Sequence, residues 1–335
     1  MSCRPVLNGV LWNLRHKSSI FGEGFSYTAD AAQWRAEFDD MQRIGIDKIM
    51  LHSGVEDALV HSAAVAPDLI EFMATECDRR NMELIIAAGG HPNWFLDLKM
   101  PEEINYAHRY VDEIHKRYSG HRCFAGWYID YEFSLRTGEL KRQLMDLYKA
   151  VVEMCKEKTP GLPVVASPFF NPPTEPDAME VGKHEPREYY DFWSEMISYS
   201  HLDVIALQDM GGQHFSFFTG RTTQPYIEAY AKACQENGCR FWGNVETGEF
   251  HVGSAQEFVE RHGLNGDVNH VKNANEWRAV PIERLKWKLE LMSKYSELNM
   301  TWGYQNFYRP SVGHKAHAAY KAYQDYLFSL QKSLS

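Results

Sequence analysis

Two strand-like runs in this sequence end on a glutamate, and that pair has the residue types needed to cleave an acetal. Phe124-Ala125-Gly126-Trp127-Tyr128-Ile129-Asp130-Tyr131-Glu132 turns acidic at its carboxyl end, and Phe241-Trp242-Gly243-Asn244-Val245-Glu246 does the same. Acetal hydrolysis requires one carboxylic acid to protonate the leaving oxygen and a second carboxylate to attack or stabilise the oxocarbenium-like centre, with no cofactor. Glu132 is therefore assigned as acid/base and Glu246 as nucleophile or base, with a retaining outcome expected. A separation of about 5–5.5 Å between the carboxyl groups gives retention and roughly 6.5–9.5 Å gives inversion.

Alternation along a strand places Tyr128 and Asp130 on the same side as Glu132, and Trp242 and Asn244 on the same side as Glu246. Similar strand ends supply further candidates for holding a substrate: His52, His91 after Gly89-Gly90, Gln208, Asp209, Glu249, Tyr304 and Asn306. The neighbours Gln208 and Asp209 point to opposite faces unless the strand has ended, which favours Asp209 as the one lining the site. Trp12, Trp94, Trp242 and Tyr304 offer flat apolar faces on which a sugar ring could stack. Each residue has a plainer use, as a solvated acid, half of an ion pair or a core aromatic. His52 and His91 could also ligate a divalent ion with Asp130, Glu132 or Glu246, but no HxH or HExxH spacing accompanies them, so neither metal nor cofactor is assigned.

The elements that must carry these residues repeat eight times as a short apolar run followed by a segment of helical periodicity. The expected strands are Val6–Leu14, Lys48–Val55, Glu83–Gly90, Phe124–Glu132, Leu162–Phe170, Leu202–Met210, Arg240–Glu249 and Met300–Tyr308. Helix starts are marked by Thr28 or Asp30 and by Pro67, Pro101, Pro186 and Pro281, and stops by Gly45 and Gly238. Eight such units predict an α/β fold, a single (β/α)8 barrel spanning residues 1–335 as one domain. Long strand-to-helix links, Asn171–Glu185, Gly211–Arg221 and Phe250–Val280, gather at the carboxyl-terminal face where such barrels build their sites. In the last link, Asn265-Gly266-Asp267 and Asn273-Ala274-Asn275 read as an excursion over the site or as a disordered insertion.

Composition narrows the partners. A hydrophobic share of 44% and a charged share of 24% fit a globular chain with a large core. The net charge of −10, with no basic run, argues against nucleic acid. No stretch is long and apolar enough to span a membrane, and Met1 to Pro5 lacks a signal-like pattern, so a cytoplasmic location is expected, or a secreted one if a signal peptide has been removed. The six cysteines lack CxxC spacing and read as free thiols. The expected partner is a carbohydrate substrate. Its sugar and linkage, and the oligomeric state, stay open.

The segments Gly126-Trp127-Tyr128-Ile129-Asp130-Tyr131-Glu132, Ala166-Ser167-Pro168-Phe169-Phe170, Leu207-Gln208-Asp209-Met210-Gly211-Gly212 and Trp242-Gly243-Asn244-Val245-Glu246 carry a family likeness. Through nearly its whole length the chain resembles the TIM-barrel glycosidase-like family catalogued as domain of unknown function 4434. The resemblance implies kinship with the glycosidase clan whose acid/base lies on strand four and nucleophile on strand seven, the places held here by Glu132 and Glu246. Tyr131 stands where the clan has Asn before the acid, and Thr247-Gly248-Glu249 follows Glu246 in place of an apolar continuation. A carbohydrate-binding barrel without catalysis and a metal-dependent sugar isomerase or hydrolase are the competing functional classes.

Overall fold

A computed structural model describes residues 3–15, 17–18, 22–23, 25–90, 98–172, 184–209, 215–262 and 276–332. Eight parallel strands close into a barrel: β1 (Gly9–Asn13), β2 (Lys48–His52), β3 (Glu83–Ala87), β4 (Phe124–Ile129), β5 (Val164–Ala166), β6 (Val204–Gln208), β7 (Arg240–Asn244) and β8 (Asn299–Thr301). Each strand pairs with its neighbours in chain order, and β8 closes the ring on β1 through Gly9↔Met300 and Val10↔Thr301.

Outer helices follow the strands: α1 (Ala31–Arg43), α2 (Leu69–Arg80), α3 (Met100–Tyr118), α4 (Gly138–Lys158), α5 (Pro186–Ser200), α6 (Gly220–Glu236), α7 (Ile282–Met292) and α8 (His314–Lys332). Asp30 caps α1 in a reciprocal box with Gln33, each side chain 2.8 Å from the other's backbone N–H. Gly45 and Gly238, at φ +82° and +69°, turn the chain out of α1 and α6 where a Cβ would be strained. No helix of the described residues is long and apolar enough to cross a membrane.

Register decides which side chains face the lumen. Trp12, Leu51, Ile86 and Trp127 are partners across β1 to β4, and Trp127 Nε1 donates to Thr159 Oγ1 at the end of α4, so this row faces the helices. The alternate row carries Asn13↔His52, Ala87↔Tyr128↔Val165 and Gln208↔Asn244, which therefore point inward.

Every barrel strand ends earlier than its expected bound, and the seventh and eighth fall short by the most. The eighth stops at Thr301 because Gly303, at φ +95°, bends the chain into a π-helical turn over Tyr304–Tyr308. Any Cβ on Gly303 would lie 2.8 Å from the Gly248 nitrogen. The seventh stops at Asn244, and Gly248–Phe250 joins Trp277–Ala279 in a separate antiparallel hairpin. That hairpin and the helix Ala255–His262 belong to the long excursion, whose Asn265-Gly266-Asp267 and Asn273-Ala274-Asn275 lie outside the described residues.

One buried acid outside the lumen sets part of the pH response. Glu37 on α1 is covered by the protein and accepts from Tyr304 Oη at 2.6 Å; burial pushes its pKa up from 4.5 to about 7 against the opposing pull of that bond and of Arg309. The folded chain thus keeps a proton that the unfolded chain loses, so the stability from this group is full below about pH 4.5 and is lost as pH rises through about 7. At about 1.4 kcal/mol per unit the loss is on the order of 3 kcal/mol. Glu37→Gln keeps an acceptor for Tyr304 and is expected to flatten this decline in urea titrations; an unchanged slope across that pH window would refute the assignment.

Candidate active site

The carboxyl end of the barrel collects acids from three strands. Just beyond β4, the chain from Asp130 to Glu132 is pinned by the residue between them: Tyr131 is fully buried, its hydroxyl donates to Glu103 Oε2 at 2.9 Å, and its carbonyl accepts from Tyr148 Oη at 2.7 Å. With Tyr131 anchored under α3 and α4, the flanking Asp130 and Glu132 are both left partly exposed. Tyr131 is therefore an anchor for the strand end.

Glu132 is held by two donors. The Tyr128 hydroxyl bonds to its Oε1, and Gln208 Nε2 donates to its Oε2 at 3.0 Å. Gln208 is fixed in turn by a second bond to the Ser167 carbonyl at 2.8 Å. Ser167 also donates to the Ala206 carbonyl at 2.8 Å and accepts from Asn244 Nδ2 at 3.1 Å, while Asn244 Oδ1 accepts from the Trp302 N–H at 2.8 Å. A single network thus runs from β4 through β5, β6 and β7 to β8.

Beside Glu132 stand Asp130 and His52, with ligating atoms of all three within 4.8 Å of one another. Burial, then the charges of Glu132 and Glu56, hold the Asp130 carboxyl well above the usual carboxylate range, although Ser53 N–H donates to its Oδ2 at 2.8 Å. Ser53 adopts φ +36° to present that N–H, an uncommon conformation for a residue with a Cβ. Burial, aided by Arg15, pushes His52 down to about 3, so the imidazole is neutral, and its Nε2 is buried without a hydrogen-bond partner among the described residues. One imidazole and two carboxylates are donors that suit a divalent ion as well as sugar hydroxyls.

Glu246 lies two residues past β7 and is fully buried. Its N–H donates to Asp209 Oδ1 at 3.1 Å and its carbonyl accepts from Lys288 Nζ at 2.6 Å. Since β6 ends at Gln208, Asp209 is free of the alternation rule: Gln208 bonds the Glu132 carboxylate while Asp209 accepts the Glu246 N–H, so each neighbour contacts one of the two glutamates.

Residues 25–313 match the sequence profile of the family described as Domain of unknown function (DUF4434). The chain belongs to that family. Among the solved structures that resemble this DUF4434 chain are several described as glycosidases. They include a putative alpha-L-fucosidase from Bacteroides thetaiotaomicron (TM-score 0.73, 19% identity, 96% of this chain and 92% of that one). An endo-1,4-beta-D-mannanase from Thermotoga petrophila aligns at TM-score 0.52 and 13% identity over 88% and 87% of the two chains. The major endoglucanase catalytic domain from Xanthomonas campestris aligns at 0.51 and 12%, over 89% and 86%. At these identities the likeness is one of fold. A search of curated proteins gave no significant match.

Several expected contacts of this DUF4434 chain lie elsewhere. Trp12 is fully buried on the helix-facing row, against Trp34 at 5.3 Å, with Nε1 donating to Ser26 Oγ. Tyr304 is likewise turned outward, onto Glu37. Trp242 faces inward but one layer below Asn244, with the Arg240 guanidinium 5.3 Å over its ring, so it fills the barrel floor. Glu249, on the separate hairpin, is fully buried between Arg278 and Arg284 at 2.7 and 2.8 Å. Asn306 sits within the π-helical turn, where its N–H bonds the Gly303 carbonyl. His91 and Trp94 lie outside the described residues.

Sequence reading passed over Ser167, the hub of the network, and Trp302, the partly exposed aromatic just past β8, 5.7 Å from Trp277 and 6.3 Å from Phe307. Parity with Met300, the register partner of Asn244, would have pointed Trp302 toward the mouth.

Proposed function

We propose that this chain is a glycoside hydrolase in which Glu132 protonates the leaving oxygen and Glu246 attacks the anomeric carbon, with net retention. The observation that carries this reading is the junction at the end of β6, where consecutive residues hold the two glutamates: Gln208 bonds the Glu132 carboxylate and Asp209 the Glu246 backbone. Two carboxylates assembled at one barrel mouth are sufficient for acetal cleavage. Asp130, with its raised proton affinity, stands as a proton reservoir beside Glu132. The glycosidase names attached to the solved structures of this fold agree with a carbohydrate substrate.

The complete burial of Glu246 favours a second reading, a barrel that binds carbohydrate without cleaving it. A panel of aryl glycosides and oligosaccharides separates the two. Hydrolysis by the wild type, lost in Glu132→Gln and Glu246→Gln, supports the hydrolase, and proton NMR of the first-formed anomer reports retention or inversion. Binding without turnover on every glycan selects the second reading, and variants matching wild-type turnover would sink the assigned pair.

A further inference from the structure

Lys288 is a cation in a place built for an aliphatic side chain. It lies on the inner stripe of α7 among Leu285, Leu289 and Met292, and its side chain is fully covered. Burying an ammonium is unfavourable before its partners are counted, and replacing a buried ion pair by apolar residues of similar volume is often neutral or stabilising. A requirement for packing alone would be met more cheaply by Leu or Met.

Its contacts converge on one residue. Nζ lies 2.6 Å from the Glu246 carbonyl oxygen and 3.3 Å from Asp209 Oδ1, and that same Oδ1 accepts the Glu246 N–H at 3.1 Å. The peptide groups on both sides of the Glu246 Cα are thus gripped by the two ends of a single buried ion pair. Glu246 sits beyond the last ladder residue of β7, between Val245 and Thr247, whose N–H groups still donate to the Met300 and Trp302 carbonyls at 2.8 and 2.9 Å, while its own N–H and C=O go to the Asp209 and Lys288 side chains.

The approach of α7 to the strand is prepared separately. Gly243 on β7 faces this helix, and a Cβ there would lie 2.3 Å from Met292 Cγ and 2.7 Å from Asn299 Oδ1. Glycine at this position lets α7 settle against β7, four residues after Lys288.

We infer that Lys288 and Asp209 form a positioning clamp that aims Glu246 at the anomeric carbon, an inference that rests on the hydrolase reading above. Lys288 acts through the backbone of Glu246 and touches no substrate. A shift of about 1 Å in a reacting group can cost on the order of 10²-fold in rate.

The test uses the full chain carrying Lys288→Met, alone and combined with Asp209→Asn. The single variant leaves Asp209 without its cation, so both melting temperature and kcat should fall. The double variant is neutral at the pair and retains an acceptor for the Glu246 N–H, so its melting temperature should recover while kcat stays about 10²-fold down with KM little changed. Recovery of wild-type kcat together with stability would overturn the clamp, since the pair would then be merely structural. Glu246→Gln run in the same assay keeps the two ideas apart: if it turns over normally, the hydrolase reading falls. The clamp is then judged on a crystal structure of the double variant, in which an unmoved Glu246 backbone would refute it and a displaced one would support it.

Discussion

Glu132→Gln is expected to lose roughly 10²–10⁴-fold in turnover of oligosaccharides and alkyl glycosides, yet far less on dinitrophenyl glycosides. An alcohol leaves only if its oxygen is protonated as the bond breaks, whereas a dinitrophenolate departs unaided, so the value of the proton from Glu132 tracks the basicity of the leaving group. Glu246→Gln should lose on the order of 10⁴-fold or more on both kinds of substrate, because attack at the anomeric carbon is required whatever leaves. The measurement is a plot of log kcat/KM against leaving-group pKa for the three proteins. A steepened slope for Glu132→Gln and a parallel, lowered line for Glu246→Gln is the expected result; exchanged patterns would reverse the two roles, and two unshifted lines would leave neither glutamate in the chemistry. The Tyr128 and Gln208 bonds to Glu132 make Glu132→Ala a useful companion, since it removes the proton source without presenting a new amide to those donors.

Glu249→Ala is expected to act on stability. It removes a fully buried carboxylate and strands two guanidiniums, with the Arg284 side chain only 15% exposed. Breaking a buried pair by truncating one partner typically costs about 3–5 kcal/mol, or roughly 5–10 °C in melting temperature. Turnover measured well below the melt should remain within a few-fold of wild type, because both carboxylate oxygens are committed to arginines of the hairpin and α7. An unmoved melting temperature with abolished turnover would instead make Glu249 the reacting carboxylate.

The barrel was readable because its period is coarse. Eight apolar runs and intervening helical stretches survive errors of a few residues at each end, and punctuation such as Asp30 and Gly45 is local chemistry. The mouth was less readable because it depends on single-residue parity. Trp12 stands on an even step of β1 and so faces the helices; Tyr304 and Asn306 seemed to extend β8, which the turn at Gly303 cuts to three residues. Glu249 reads as a continuation of β7 because nothing local distinguishes a strand from a hairpin that starts four residues later. Lys288 was invisible for a different reason: one lysine on an amphipathic helix reads as a solvated face until a third dimension places it under a strand end. Its position among Leu285, Leu289 and Met292 was the available signal.

The seam between β8 and β1 pairs Gly9 with Met300, so closing the ring joins almost the two ends of the chain. Contacts so distant in sequence carry the largest loop-closure entropy and reward the chain late. The Asn244 to Trp302 bond and the Asn13 to Gln305 bond depend on that same closure. During synthesis the mouth therefore cannot be completed until β8 has left the ribosome, well after both glutamates have been added.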